Sequence, residues 1–385
     1  MAELLLLVLN LIWAGLALFF LGSISKIYLQ REQLPEPSQN GELPTLSIII
    51  PARDEAANIG ECIQCIMQLD YPEGSIEFII VDDNSSDATA SIVNDYATLD
   101  QRIRLISADT LPKGWMGKSH ACWQGVQAAS GEWLLFVDAD TYLSPPTVRA
   151  ALDYALHKGH AFFSVIPFQR IVSVQERISL PGVFLGFASA VDFDRVNDPN
   201  DSFAIANGQF LLFSREAYDH IGGHQAIRAE VSDDLAFARA AKKLGISSYT
   251  LFGEQYIETR MYRSLREVWN GFSKNAIEIM HATSVTRTVV NALVSLGLAS
   301  GMLLPVIMLC RDAPADALLI NVSLILSLIT LTILALSFTL TLRALRVPVI
   351  YLVALPFGLA MHGAIIINAY FRQKTGKRLW KGRHY

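Results

Sequence analysis

The residues best able to do chemistry in this sequence are two aspartates separated by one alanine. They close the apolar run in "WLLFVDADTYLSPP", Trp133 to Pro146, which reads as a buried strand ending on Asp138 and Asp140. Side chains two apart on a strand point the same way, so both carboxylates can aim at one hard divalent cation, Mg²⁺ or Mn²⁺, where the strand turns. Carboxylates alone repel a phosphate, but through a bridging cation they hold a diphosphate well. A solvated turn would show the same D-x-D pattern, so the neighbouring acids carry the decision. Asp54 and Glu55 follow "LSIIIPAR", and Asp82 and Asp83 close "IEFIIVDD". Three acidic strand ends in one α/β unit would converge on one edge.

The elements that must position these residues follow from pattern. "LSIIIPARDEAANI" and "IEFIIVDDNSSDATASIV" each join an apolar strand to a polar turn and a helix start, while "IRLISAD" and "EWLLFVDAD" add two strands with helix-like sequence from Gly117 to Ala129 between them. Strands that are apolar throughout and alternate with helices predict an α/β layered fold with a largely parallel sheet. Ligands of such sheets bind beyond the carboxyl ends of the strands. In "LPKGWMGKSHA", Lys118 follows glycines at a helix start, which suits a phosphate contact as well as it suits a solvated helix face.

Composition places part of the chain in lipid. Of 385 residues 52% are hydrophobic and only 17% charged, too apolar for an ordinary soluble protein. "LLLLVLNLIWAGLALFFLG", Leu4 to Gly22, is long enough to span a bilayer. It lacks the basic flank and A-x-A site of a cleaved signal, so a retained anchor is expected. Three further apolar runs are Val289 to Leu309, Ala317 to Leu340 and Val347 to Phe371. Lys26 and Arg31 after the first span, and the tail residues Arg372, Lys374, Lys377, Arg378, Lys381 and Arg383, point to the cytoplasmic side. Three full crossings would leave that tail outside, so the last run, interrupted by Pro348, Pro356, Gly358 and Gly363, is expected to be re-entrant or interfacial. A net charge of −5 implies no nucleic-acid partner. Of the four cysteines, Cys62 and Cys65 form a lone C-x-x-C without a second pair, and Cys62 fits the buried face of a helix. The resulting plan is an anchor over 1–25, a linker over 26–44, one α/β domain with interfacial helices over 45–275, a membrane region of two to three segments over 276–371, and a basic tail over 372–385.

The succession "IIIPARDEAANI", "IIVDDNSSDAT", "LPKGWMGKSHA", "LLFVDADT", "NGQFLLF" and "VSDDLAFARAAKKLG" resembles the membrane-attached family 2 glycosyltransferases, which have a Rossmann-like GT-A fold and invert at the sugar carbon. With the apolar ends and the closing "WKGRHY", it is most similar to the bacterial hopene-associated glycosyltransferases, with carotenoid and ceramide glycosyltransferases as cousins. The resemblance covers about residues 45 to 275. It implies that Pro51, Asp54 and Glu55 line the nucleotide site, that Asp82 and Asp83 contact the base and ribose, that Lys118 approaches the diphosphate, and that Asp138 and Asp140 hold the metal.

It further implies that Asp233 and Asp234 stand where the family carries its Glu-Asp pair, with Asp234 as the base that deprotonates the acceptor hydroxyl. Ser232, Asp233 and Asp234 also suit a helix N-terminus, and one of the pair can cap while the other works. Many relatives carry Q-x-x-R-W near the membrane. Here "MYRSLREVWNGFSKN" offers Arg263, Arg266 and Trp269 without the Gln, which speaks against processive polymerisation. On a helix those three share one side, so the arginines become donor-side candidates for the leaving diphosphate and Trp269 an acceptor-side lipid anchor; an amphipathic interface helix without a catalytic role reads the same. Gly208 and Gln209 belong on the acceptor side by resemblance. "ISLPGVFLGFASAV", Ile178 to Val191, is apolar but too short to span, and its Phe184 and Phe187 either guide a lipid acceptor or pack a core.

The function so implied is transfer of one sugar from a nucleotide-sugar, a UDP-sugar first, to a hopanoid or polyisoprenoid lipid. The enzyme would be a multi-pass protein of the inner (cytoplasmic) membrane with its catalytic domain in the cytoplasm. Transfer to a polyprenyl phosphate and a non-catalytic nucleotide-sugar-sensing scaffold are the alternatives.

Overall fold

The computed structural model describes residues 2–38, 42–188, 191–282, 284–310, 318–375, 379–380 and 383–384. Along the chain come α1 (Ala2–Gln30), β1 (Leu46–Ala52), α2 (Ile59–Met67), β2 (Ile76–Asp82), α3 (Thr89–Leu99), β3 (Ile103–Ser107), α4 (Gly117–Ala128), β4 (Trp133–Val137), β5 (Thr141–Leu143), α5 (Thr147–Lys158), β6 (Phe162–Ile166) and β7 (Phe168–Gln169). There follow α6 (Val174–Ala188), α7 (Phe193–Asn197), β8 (Phe210–Ser214), α8 (Arg215–Ile221), α9 (Gly223–Ala226), α10 (Asp233–Lys243), β9 (Ser248–Phe252) and β10 (Ile257–Thr259). The remaining long helices are α11 (Leu265–Ala282), α12 (Val285–Gly301), α13 (Leu304–Leu309), α14 (Leu318–Ala344) and α15 (Leu355–Thr375). These elements form two compact units, one of Met1–Gln30, Ile171–Asp192 and Tyr262–Arg378, the other of Arg31–Arg170, Phe193–Met261 and Leu379–Tyr385.

The second unit is built on a seven-stranded sheet in the order β3-β2-β1-β4-β8-β6-β9. The run β3-β2-β1-β4 is parallel, β8 is antiparallel to both neighbours, and β9 is parallel to β6. The predicted mostly parallel α/β sheet is therefore what forms. Its strands read as continuous apolar runs because both faces are covered. Ile48 and Ile50 pack on the α2 side with Ile59 and Ile63, while Ile49 and Val81 pack on the opposite side with Ala121 and Cys122 of α4. Burying each such side chain stabilises the fold by about 1.5–3 kcal/mol. Gly125 lets α4 lie directly on the sheet, since a Cβ there would come within 2.6 Å of Ile49. A second sheet, β5-β10-β7, lies beyond the end of β4 and carries the turn that holds Asp140.

The first unit is helical, and among the described residues four of its segments are long and apolar enough to cross a membrane: Glu3–Leu29, Val285–Leu309, Leu318–Ala344 and Val349–Gln373. Large apolar side chains such as Leu5, Phe19, Ile325 and Leu336 are more than half exposed, as expected of surfaces facing hydrocarbon. Thr330, Ser337 and Thr341 inside this unit each donate to the carbonyl four residues earlier.

Two segments read from the sequence take definite form in this unit. The interruptions foreseen in the last apolar run do not break it, because Pro348 caps a short 3₁₀ turn over Val349–Ala354 and Pro356 falls in the first turn of α15, where an N–H has no intrahelical partner to lose. Gly358 is a contact point instead, with Gly182 of α6 so close that a Cβ would meet its backbone at 2.5 Å. The short segment Ile178 to Val191 lies largely in α6, with Pro181 inside the helix and Leu180, Val183 and Leu185 buried; its residues 189 and 190 lie outside the described residues. Of the basic tail, Lys377, Arg378 and Lys381 lie outside the described residues, as do the side chains of Lys374 and Arg383.

Candidate active site

The carboxyl ends of β1 and β2 are tied to each other. The Asp83 N–H donates to the Ala52 carbonyl at 2.8 Å, and Arg53 donates from its guanidinium to the Asp83 carbonyl at 2.6 Å. Pro51 sits in β1 itself. Asp54 takes a left-handed backbone, φ 52°, which an aspartate tolerates better than most residues. Its carboxylate accepts from the Ser86 N–H at 2.7 Å and the Ser86 hydroxyl at 3.0 Å. The Ser86 amide holds the Asp54 carboxyl below its ordinary value. Glu55 accepts from the Asn58 amide and donates its own N–H to Thr89. Asp82 and Asp83 are both buried, and Asp82 accepts from the Ser85 N–H at 3.3 Å. The acids expected along the nucleotide site thus brace two neighbouring loops.

Asp138 and Asp140 are corrected in one respect. They stand on a tight turn just past β4 rather than on the strand, because β4 ends at Val137 and the Thr141 N–H closes the turn onto the Asp138 carbonyl at 3.0 Å. Strand alternation therefore does not aim them, and the buried Ala139 fixes the turn instead. The Asp140 carbonyl accepts from the Thr259 hydroxyl at 3.1 Å, which fastens the turn to β10.

Lys118, in the first turn of α4, gathers the rest. Its ammonium lies 2.8 Å from Asp138 Oδ1, 3.2 Å from Asp233 Oδ2 and 3.4 Å from the Gly208 carbonyl. The Gly208 N–H in turn donates to Asp234 Oδ2 at 3.0 Å. A Cβ at Gly208 would stand 3.2 Å from the Lys118 ammonium and 3.3 Å from Asp234 Oδ2, so both groups would have to give way to it. Asp233 and Asp234 open α10, as the capping alternative foresaw, but Ser232 makes no capping bond; Asp233 accepts from the Asp234 N–H and Asp234 from the Leu235 N–H.

Two carboxylates, Asp138 and Asp233, therefore pair with one ammonium, and a third, Asp234, stands beside them on the Gly208 N–H. Burial, and then the neighbouring Asp233 charge, push the Asp234 carboxyl up to about 6. Burial likewise raises Asp138, against the pull of Lys118. Burial alone would lower Lys118, but Asp138 and Asp233 outweigh it and hold the ammonium well above its ordinary value. Buried negative charge in excess of its counterion is the donor set a hard divalent cation fits.

Behind this group lie residues that the sequence did not single out as functional. His224 and Cys122 are fully buried, and an atom of each lies within 4.8 Å of the other and of the Asp233 carboxylate. The His224 N–H donates to the Tyr218 hydroxyl, and that hydroxyl stands 2.8 Å from His224 Nδ1. Burial drops His224 to about 3, so the ring is neutral. The signal for it is "IGGH": Gly222 and Gly223 both have positive φ, and a Cβ at Gly223 would strike the Tyr218 ring at 2.5 Å.

Gln209 is placed differently from an exposed acceptor contact. It is 4% exposed and donates from its amide to the Thr259 hydroxyl at 2.8 Å. Arg263, Arg266 and Trp269 belong to the helical unit. They do not share one helix, because α11 begins after Ser264 with a capping box: Ser264 accepts from the Glu267 N–H while Glu267 accepts from the Arg263 N–H. Arg266 is exposed, and Trp269 packs with Phe184 and Phe187 against a cluster containing Phe272 and Met280. Both of those Phe rings lie against Phe272, at centroid distances of 5.5 and 5.3 Å.

Residues 47–222 match the family model described as glycosyl transferase family 2. A solved structure, the mannosyltransferase PcManGT from Pyrobaculum calidifontis in complex with GDP-Man and Mn²⁺, superposes with a TM-score of 0.55 over 98% of this chain and all of its own, at 18% identity. The fold is the GT-A fold. In sequence, the chain is 30% identical over 254 residues to 4,4'-diaponeurosporenoate glycosyltransferase of Staphylococcus aureus strain MRSA252, and equally so to that of strain USA300. The match takes in 63% of this chain and spans 64% of the length of those curated relatives.

Proposed function

We propose that the protein is a membrane-anchored, metal-dependent, inverting family 2 glycosyltransferase that moves one sugar from a nucleotide-sugar, a UDP-sugar first, to a lipid of polyisoprenoid type, with a hopanoid as the narrower candidate. The observation that carries this reading is the single bonded group of Lys118, Asp138, Asp233, Gly208 and Asp234 at the carboxyl edge of a GT-A sheet. Support for an apolar acceptor comes from the four helices long enough to span and from relatives named for a diaponeurosporenoate acceptor. The basic flank of the first helix, Lys26 and Arg31, favours a cytoplasmic catalytic unit in the inner membrane.

In this reading Asp234, held by the Gly208 N–H, takes the proton of the acceptor hydroxyl as its oxygen attacks the anomeric carbon opposite the departing nucleotide diphosphate. A carboxyl raised to about 6 is mostly ionised at neutral pH yet basic enough to accept a proton. Lys118 places positive charge where leaving-group charge develops, and its pairing with Asp138 and Asp233 keeps it protonated. Asp138 and Asp140 would hold a divalent cation, which when bound supplies charge neutralisation for the diphosphate. Asp54, Glu55, Asp82 and Asp83 shape the nucleotide end, and Gly208 and Gln209 serve the acceptor side, Gln209 through Thr259.

The test is sugar transfer by the purified protein in lipid, with a panel of nucleotide sugars, with and without Mn²⁺ or Mg²⁺, beside Asp140→Asn and Asp234→Asn. Metal-dependent glycolipid formation lost in both variants is expected. Nucleotide-sugar binding without turnover on any acceptor would turn the reading toward a sensing scaffold.

A further inference from the structure

Between α7 and β8 the chain runs without regular structure from Asp198 to Gln209, and it is held to α10 and β9 at several points. Lys242, in the last turn of α10, sends its ammonium into a cage of four backbone carbonyls: Arg195 at 2.9 Å, Asp198 at 2.9 Å, Asp201 at 2.9 Å and Phe203 at 2.6 Å. An ammonium has three protons, so four carbonyls around it treat it as a cation as much as a donor. Rings of backbone carbonyls are how proteins strip and hold alkali cations. The segment is further tied by Asn197, which exchanges two hydrogen bonds with the Thr250 backbone at 2.9 Å each, and by the Arg195–Asp201 pair at 2.7 Å. At the other end of the same helix, Asp234 holds the segment through the Gly208 N–H.

We propose that Lys242 is a positioning residue, a tethered cation that latches the strap Arg195–Gly208 along α10 and so keeps Gly208 seated between Lys118 and Asp234, and that a free small cation can replace its head group when the side chain is cut away. The functional half of the inference rests on the reading of Asp234 as the base. The latch itself stands on the carbonyl cage alone. Lys242 lies at the opposite end of α10 from the carboxylates, so its loss disturbs the acceptor side and leaves the Asp138–Lys118 pair in place.

The experiment measures amide hydrogen exchange and kinetics on the full chain in lipid for Lys242→Ala and Lys242→Met, with and without methylammonium. In both variants amides of residues 195–208 are expected to exchange at least about tenfold faster while those of β1–β3 keep their rates. Methylammonium should restore protection in Lys242→Ala, where the cage is empty, and leave Lys242→Met, where the thioether fills it, unprotected. Kinetically, apparent acceptor KM should rise while donor hydrolysis without acceptor persists, and methylammonium should reverse the rise in Lys242→Ala only. Unchanged strap exchange in both variants, or acceleration spread evenly over the sheet, would overturn the latch. Opening and rescue of the strap with transfer kinetics unaltered would uphold the latch and overturn the role of Gly208 and Asp234.

Discussion

Two groups of acids stand at the same sheet edge, and their surroundings differ. Asp54 and Asp87 after β1 and β2 are answered by backbone amides of Ser86, Thr89 and Ala56, with distances of 2.7 to 3.0 Å. Asp138 and Asp233 share one lysine ammonium, and Asp234 beside them takes the Gly208 amide. The first group spends its charge on holding two loops in register. The second keeps charge in reserve, which shows in the upward push on Asp234 and Asp138 against the downward pull on Asp54. Acids of one residue type at one edge can thus be scaffold or chemistry, and the donors around them decide which.

The largest effect that tests this contrast is on Asp234. Asp234→Asn should cut transfer by about 10³-fold, within the range of a lost general base. The same change should raise the melting temperature at pH 8. A carboxyl raised to about 6 gives its full stabilisation below its unfolded value, near 3.8, and loses it as pH rises through 6, so the charged form burdens the fold at pH 8. Activity and stability measured together would break the comparison if both fell. In the unaltered protein, transfer should climb with pH through about 6 and then level, a profile that Asp54→Asn leaves unmoved.

Next in size is Lys118→Met, which removes the ammonium from between Asp138 and Asp233 and should cost about 2–4 kcal/mol in chemical denaturation. Asp138→Asn in the same chain should recover part of that loss, and additive losses would mean the two do not interact. Gly208→Ala comes third. Its Cβ would press on the Lys118 ammonium and on Asp234, so turnover should fall about tenfold with little change in melting temperature. The smallest effect belongs to Asp54→Asn, which keeps the left-handed turn and loses charge. Because Asp54 is exposed, the change should cost well under about 1 kcal/mol, and the deficit should vanish as pH falls below 4 and the native carboxyl protonates.

Much of the sheet was legible in the sequence because its strands are buried on both faces. "LSIII" and "FIIV" carry no polar alternation to confuse them, and each is followed by a polar turn and a helix. The convergence of Lys118, Asp138 and Asp233 was legible in kind, since each lies at an element end on one edge. What escaped were features set by tertiary contact. The turn at Asp138 depends on Thr259, far along the chain. Gln209 turns inward for the same Thr259 hydroxyl. Arg263 stays off its helix because Ser264 and Glu267 cap it, a local motif present in "SLRE" that periodicity of three hid. Lys242 has no signal in the sequence, and only the course of the strap reveals its carbonyl partners.

The contact of Gly182 with Gly358 carries a consequence for how the protein is made. The helical unit draws α6 from the middle of the chain and α15 from its end, and the two backbones touch where neither helix has a side chain. On the ribosome α6 emerges long before α15 exists, so its glycine face and the buried Glu176, Ser179 and Pro181 wait uncovered while the later segments are synthesised. A chain stopped before Leu355 would complete its sheet yet leave α6 without the surface it fits. Assembly of the helical unit around α6 therefore waits for α15, and a nascent chain becomes protease-resistant around α6 only once α15 has been released.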